Sequence, residues 1–144
     1  NKTVYFIPIK FKENIAKKWS LALAAYLNSS ITRAIAKLFA WKSRGGYYRY
    51  MAWTMGLLPI PRVLICSTCE RIKRTEECIN TKEEDIPDIV EKLASLSEKI
   101  MNKEKGWIKA RDKIDKTIAE TFSLSDDEAK KLVKFSKWLN ELDT

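Results

Sequence analysis

The chain has 144 residues, enough for one domain or one domain with a helical tail. Its 45% apolar content supplies a core and excludes a disordered chain. Histidine is absent, which excludes imidazole acid–base catalysis, a serine triad and histidine-ligated metal within this chain.

The formal charge of +8 is unevenly spread. Residues 1–74 hold fourteen Lys or Arg against two acids, Glu13 and Glu70, while residues 75–144 hold thirteen bases and seventeen acids. A field this one-sided steers a polyanion toward the first half, so the asymmetry points to nucleic acid. A basic thermophile-like surface, an acidic protein partner and a membrane surface are the competing readings. Abundant Lys and Glu with no Gln fit growth at high temperature. No apolar run reaches the roughly 18 residues of a membrane span. With no secretory pattern either, the expected location is the cytoplasm. The chain opens at Asn1 on an apolar run, which predicts a piece of a longer protein.

In chain order, Thr3 to Phe11 is β-branched and aromatic and reads as an edge strand, bent at Pro8. Asn14 is a candidate cap for a helix to about Asn28, with Ile15, Trp19, Ala22, Leu23, Tyr26 and Leu27 on its apolar face. Asn28 to Ser30 is a break or cap before a second helix carrying Ile31, Ala34, Ile35, Leu38 and Phe39. Lys42 to Tyr50 is a glycine-containing basic and aromatic segment, and Met51 to Leu58 an apolar run leading into Pro59-Ile60-Pro61. The VLIC stretch at 63–66 reads as a second strand. Pro87 marks the start of another helix, which runs to about Asn102. A further helical pattern spans Trp107 to Phe122. Ser125 with Glu128 is a capping box for the last helix. The expected fold class is α+β: a small mixed recognition domain, with few strands and two packed helices, followed by a helical C-terminal region. The expected division is a target-recognition portion, N-terminally truncated, over 1–69, a charged connector over 70–86, and a helical support or docking region over 87–144.

Neither a GxxxxGK[ST] phosphate loop nor a GxGxxG turn is present. Cys66, Cys69 and Cys78 form C-x2-C-x8-C, compatible with free thiols, a disulfide or a metal half-site lacking a fourth ligand. No metal site is assigned. Trp19, Trp41 and Trp53 are expected in the core, Trp41 being the first exception because it adjoins the basic loop.

The sharpest stretch for binding is Lys42, Arg44, Gly45, Gly46, Tyr47, Tyr48 and Arg49. Arg and Lys donate to phosphates and base edges, Tyr packs on bases or sugars, and Gly lets the backbone approach. The competing reading is a hairpin with its Tyr in the core and its Arg in solvent. Arg33 and Lys37 are secondary phosphate-contact candidates, with Arg62, Arg71, Lys73 and Arg74 behind them.

The stretches YLNSSI at 26–31, RGGYYRY at 44–50 and LLPIP at 57–61, in that order, resemble the C-terminal specificity domain of TaqI-like adenine-N6 DNA methyltransferases. Related segments occur in target-recognition domains of restriction-modification enzymes. Ile114-Asp115 and the run from Ile118 to Glu128 resemble the family's closing motif, with Thr121-Phe122-Ser123-Leu124 where a tyrosine-glycine-leucine turn belongs, so the glycine is missing. The resemblance implies a non-catalytic DNA-binding portion, holding no cofactor itself. An upstream, covalently linked methyltransferase domain would carry S-adenosylmethionine and the chemistry, and the partner would be double-stranded DNA, with no membrane. The asparagine-proline-proline-aromatic motif of that catalytic domain is missing from this chain. The alternatives are an unrelated nucleic-acid-binding module and a protein-interaction or scaffold domain.

Overall fold

In the computed structural model the described residues are 12–42, 48–65 and 82–141. They contain six α-helices: α1 (Glu13–Asn28), α2 (Ser30–Phe39), α3 (Ala52–Gly56), α4 (Asp88–Met101), α5 (Trp107–Thr121) and α6 (Asp126–Glu141). The extended pairing among them is a short antiparallel ribbon, β1 (Trp41–Lys42) with β2 (Tyr48–Arg49). Single 3-10 turns cover Arg62–Leu64 and Glu83–Asp85.

This corrects the expected mixed α+β domain, because the described residues are almost entirely helical. The expected edge strand over 3–11 lies outside the described residues. The second expected strand is replaced over its described part by a 3-10 turn, in which Leu64 N–H donates to the Pro61 carbonyl at 2.8 Å and Ile65 N–H to the Arg62 carbonyl at 3.0 Å. β-branched content signals a strand only where a neighbouring strand is available to pair. Here Leu64 is instead drawn into the helical core.

α1 forms because Ile15, Trp19, Ala22, Ala25 and Tyr26 recur at helical spacing and are buried. It starts one residue before the expected cap, with Lys12 at the boundary and no side-chain cap bond. Ser29 both ends α1 and begins α2. Its backbone is extended, its N–H donates to the Tyr26 carbonyl, and its hydroxyl accepts the Thr32 N–H at 3.1 Å. α4 follows Pro87, as expected. α5 follows Gly106, whose φ of 82° is a left-handed conformation that glycine adopts without strain.

The capping box opening α6 is present. Glu128 accepts from the Ser125 N–H at 2.8 Å and the Ser125 hydroxyl at 2.7 Å, and its own N–H donates back to that hydroxyl at 3.3 Å. Chiefly the hydroxyl bond, then the backbone bond, holds the Glu128 carboxyl below the usual range.

One core joins the two ends of the sequence. α1 packs most extensively on α4, α2 on α6, and α4 on α5. Ile15, Trp19, Tyr26 and Ile31 share a buried cluster with Val90, Leu93, Ile114 and Ile118. Ser97 Oγ also donates across the α1–α4 interface to the Leu21 carbonyl at 2.8 Å.

Ion pairs follow the same interface. Lys18 Nζ meets Glu83 Oε1 at 2.7 Å and Glu91 Oε1 at 2.8 Å, and Lys17 meets Glu98 at 2.7 Å. These exposed pairs add little stability individually. They nonetheless set two cations of the basic half against carboxylates of the acidic half. The charge segregation along the chain is therefore partly cancelled in space along α1.

Candidate nucleic-acid interface

The candidate site begins where α2 ends. Ala40 is extended, and the chain leaves the helix directly into β1. The ribbon pairs Trp41 with Arg49 and Lys42 with Tyr48. Directly opposed residues of an antiparallel pair project to one face, and successive residues alternate. Trp41 and Arg49 thus share one face, and Tyr48 lies on the other.

Tyr48 is half-buried, with the Lys37 ammonium 4.6 Å from its ring centroid. That cation–π contact ties the ribbon to α2. Arg33 lies one turn before Lys37 on the same side of α2 and is half-buried. Arg49 is exposed, and so is Trp41, at 68%.

Among the expected site residues, Arg33, Lys37, Tyr48 and Arg49 are thus gathered around α2 and its ribbon. Lys42 is placed through its backbone in β1. Arg44, Gly45, Gly46 and Tyr47 lie outside the described residues, as do Arg71, Lys73, Arg74 and all three cysteines. Tyr48 is thus half-buried and packed on α2, the side of the competing hairpin reading.

Trp19 is in the core, as expected, and Trp41 is the exception the sequence marked. Trp53 is a correction, being 56% exposed. α3 has only five residues and buries Thr54, so its neighbour Trp53, about 100° around the helix, faces away. Leu38, Phe39 and Leu57 are also exposed apolar residues of this region.

Contacts around the start of α2 join it to α1, α5 and the segment after α3. The Tyr26 hydroxyl donates to the Pro59 carbonyl, fixing the segment that leaves α3 against the end of α1. The Tyr26 ring stands 6.5 Å from the Phe122 ring, tilted by 49°. Asp115 Oδ1 accepts the Ser30 N–H at 2.6 Å, a cap supplied to α2 by α5. No local signal marks this cap, because donor and acceptor are 85 residues apart. Next to it Ile114 is buried in the core.

Ser123 has φ of +55°, a left-handed backbone that favours glycine. Ser123→Gly is expected to raise stability by up to roughly 1 kcal/mol, read as a higher thermal midpoint.

At the other end of α2 a cleft of about 460 Å³ is lined by Asn28, Ser30, Lys103, Trp107, Arg111 and Asp115, among others. Among the described residues no cluster of His, Cys, Asp or Glu is arranged to hold a metal ion. No helix of the described residues is long and apolar enough to cross a membrane.

Compared with family models, with curated proteins and with solved structures, the chain finds no match.

Proposed function

We propose that this chain is the DNA-contacting, target-recognising portion of an adenine-N6 DNA methyltransferase or restriction-modification enzyme, acting in the cytoplasm. On this reading it has no catalytic centre of its own. S-adenosylmethionine and methyl transfer belong to a covalently linked methyltransferase domain, and no residue of this chain is assigned to the cofactor.

One observation carries the reading: the separate segments that resemble the specificity domain close on one another. Tyr26 of YLNSSI bonds Pro59 of LLPIP, Ser30 is capped by Asp115 of the Ile-Asp pair, and Tyr26 faces Phe122 of the closing turn. Ser123, within the stretch that stands where the family has its glycine turn, has a left-handed backbone.

On this reading Arg33 and Lys37 of α2 and Arg49 of the ribbon are the donors to a duplex. A two-stranded ribbon fits the B-DNA major groove, which is about 12 Å wide.

Salt-dependent binding to duplex DNA tests the reading. Affinity is expected to fall linearly on a log–log plot against salt. The Arg44→Ala, Arg49→Ala double variant is expected to weaken binding by about tenfold or more at low salt, with its circular dichroism unchanged. Wild-type protein that shows no salt-dependent retention on DNA would overturn the reading.

A further inference from the structure

The outward face of the ribbon carries an indole beside a guanidinium, and the indole's role is not electrostatic. Trp41 is 68% exposed and pairs across the strands with exposed Arg49. Side chains so opposed have Cβ atoms about 4.5–5.5 Å apart. Tyr48, on the reverse face, is engaged with Lys37 of α2. The ribbon is therefore anchored on its inner side and presents Trp41 and Arg49 together on its outer side. Trp41 follows exposed Leu38 and Phe39 at the end of α2, so apolar area is gathered here rather than scattered, and a gathered apolar patch marks a contact surface.

From this geometry we infer that Trp41 is a DNA-contacting residue that makes an apolar, salt-independent contact to a base edge or sugar while Arg49 beside it engages phosphate or a base edge. The inference deepens the proposed DNA contact and rests on it. The charge of this half selects the occupant: fourteen Lys or Arg against two acids over residues 1–74 attract a polyanion, and Arg49 stands beside the indole as a donor to it. The two residues divide the interaction. Arg49 displaces a counterion from DNA and contributes to the salt slope, whereas Trp41 displaces none and shifts affinity equally at every salt concentration.

The test is a set of salt titrations of duplex-DNA binding with the full 144-residue chain. It compares wild type, Trp41→Ala, Trp41→Phe and Arg49→Ala. Trp41→Ala is expected to bind about tenfold more weakly at every salt concentration, giving a line parallel to wild type. Trp41→Phe is expected to recover most of that loss, because an aromatic ring is kept. Arg49→Ala is expected to flatten the slope by about one.

If wild type and Arg49→Ala behave as described while Trp41→Ala coincides with wild type, the inference fails and the proposed function stands. If Trp41→Ala changes the slope, Trp41 acts by placing Arg49 and the inference is overturned. If wild type shows no salt-dependent DNA binding, both fall together. Trp41→Phe keeps the question decidable should Trp41→Ala disturb the fold.

Discussion

Leu93→Ala is expected to lower the free energy of unfolding by about 3–4 kcal/mol, in a single transition. Leu93 lies in α4, is 0% exposed, and belongs to the cluster that also holds Trp19 and Ala22 of α1 and Ile114 and Ile118 of α5. Truncation removes the transfer free energy of its side chain and leaves a void lined by residues from three helices. Because α1 and α4 share their most extensive interface, helices from both ends of the sequence are expected to melt together. Urea unfolding followed by circular dichroism and by tryptophan fluorescence checks this, since Trp19 lies in α1 and Trp107 and Trp138 lie in α5 and α6. Coincident curves with a lowered midpoint are the expected result. Two separated transitions would show that the basic and acidic halves fold independently.

Tyr26 is the second position of large effect. It is buried, its hydroxyl donates to the Pro59 carbonyl, and its ring faces Phe122. Tyr26→Ala is expected to cost about 4 kcal/mol, because a large ring is lost from the core. Tyr26→Phe keeps the ring and loses only the hydroxyl, so about 1 kcal/mol is expected. The difference between the two separates packing from hydrogen bonding.

The same pair carries a pH signature. Burial raises the Tyr26 hydroxyl above its ordinary range, against the opposing influence of the Thr32 hydroxyl. The folded value of this acid is the higher one, so its contribution is complete below the ordinary tyrosine range. It is lost as pH rises through the folded value. Tyr26→Phe is therefore expected to show a flatter decline in denaturation midpoint at alkaline pH than wild type.

The proposed recognition surface depends on the same residue. Tyr26 links the end of α1 to the segment after α3, and α1 and α2 are separated by Ser29 alone. The direction of α2, and with it the ribbon carrying Trp41 and Arg49, is set by that joint and by the Asp115 cap on Ser30. A loss of DNA affinity in Tyr26→Phe without loss of helicity would report a shifted α2 rather than a lost contact, because the buried tyrosine lies behind the surface.

The sequence by itself determined what local chemistry dictates. Helical periodicity placed α1, α2 and the three C-terminal helices. Ser29 as break and cap, Pro87 before α4 and the Ser125–Glu128 box were legible because each bond closes within a few residues. Trp19 was legible as core because it lies on the apolar stripe of α1. The basic and aromatic character of the ribbon segment was legible from residue type.

Tertiary structure alone decided the rest. β-branched residues at 63–65 promised a strand, but a strand requires a partner, and the chain satisfied those amides in a 3-10 turn instead. Trp53 turned outward because α3 is too short to bury more than Thr54. The Asp115 cap and the Lys18 pairs with Glu83 and Glu91 join residues 65 to 85 positions apart, beyond any local period. The first-half charge, uniform along the sequence, is partly cancelled where α1 meets α4 but keeps Arg49 exposed at the ribbon. Residue type could point to that segment, and only the cross-strand register could set Trp41 beside Arg49 and Tyr48 behind them.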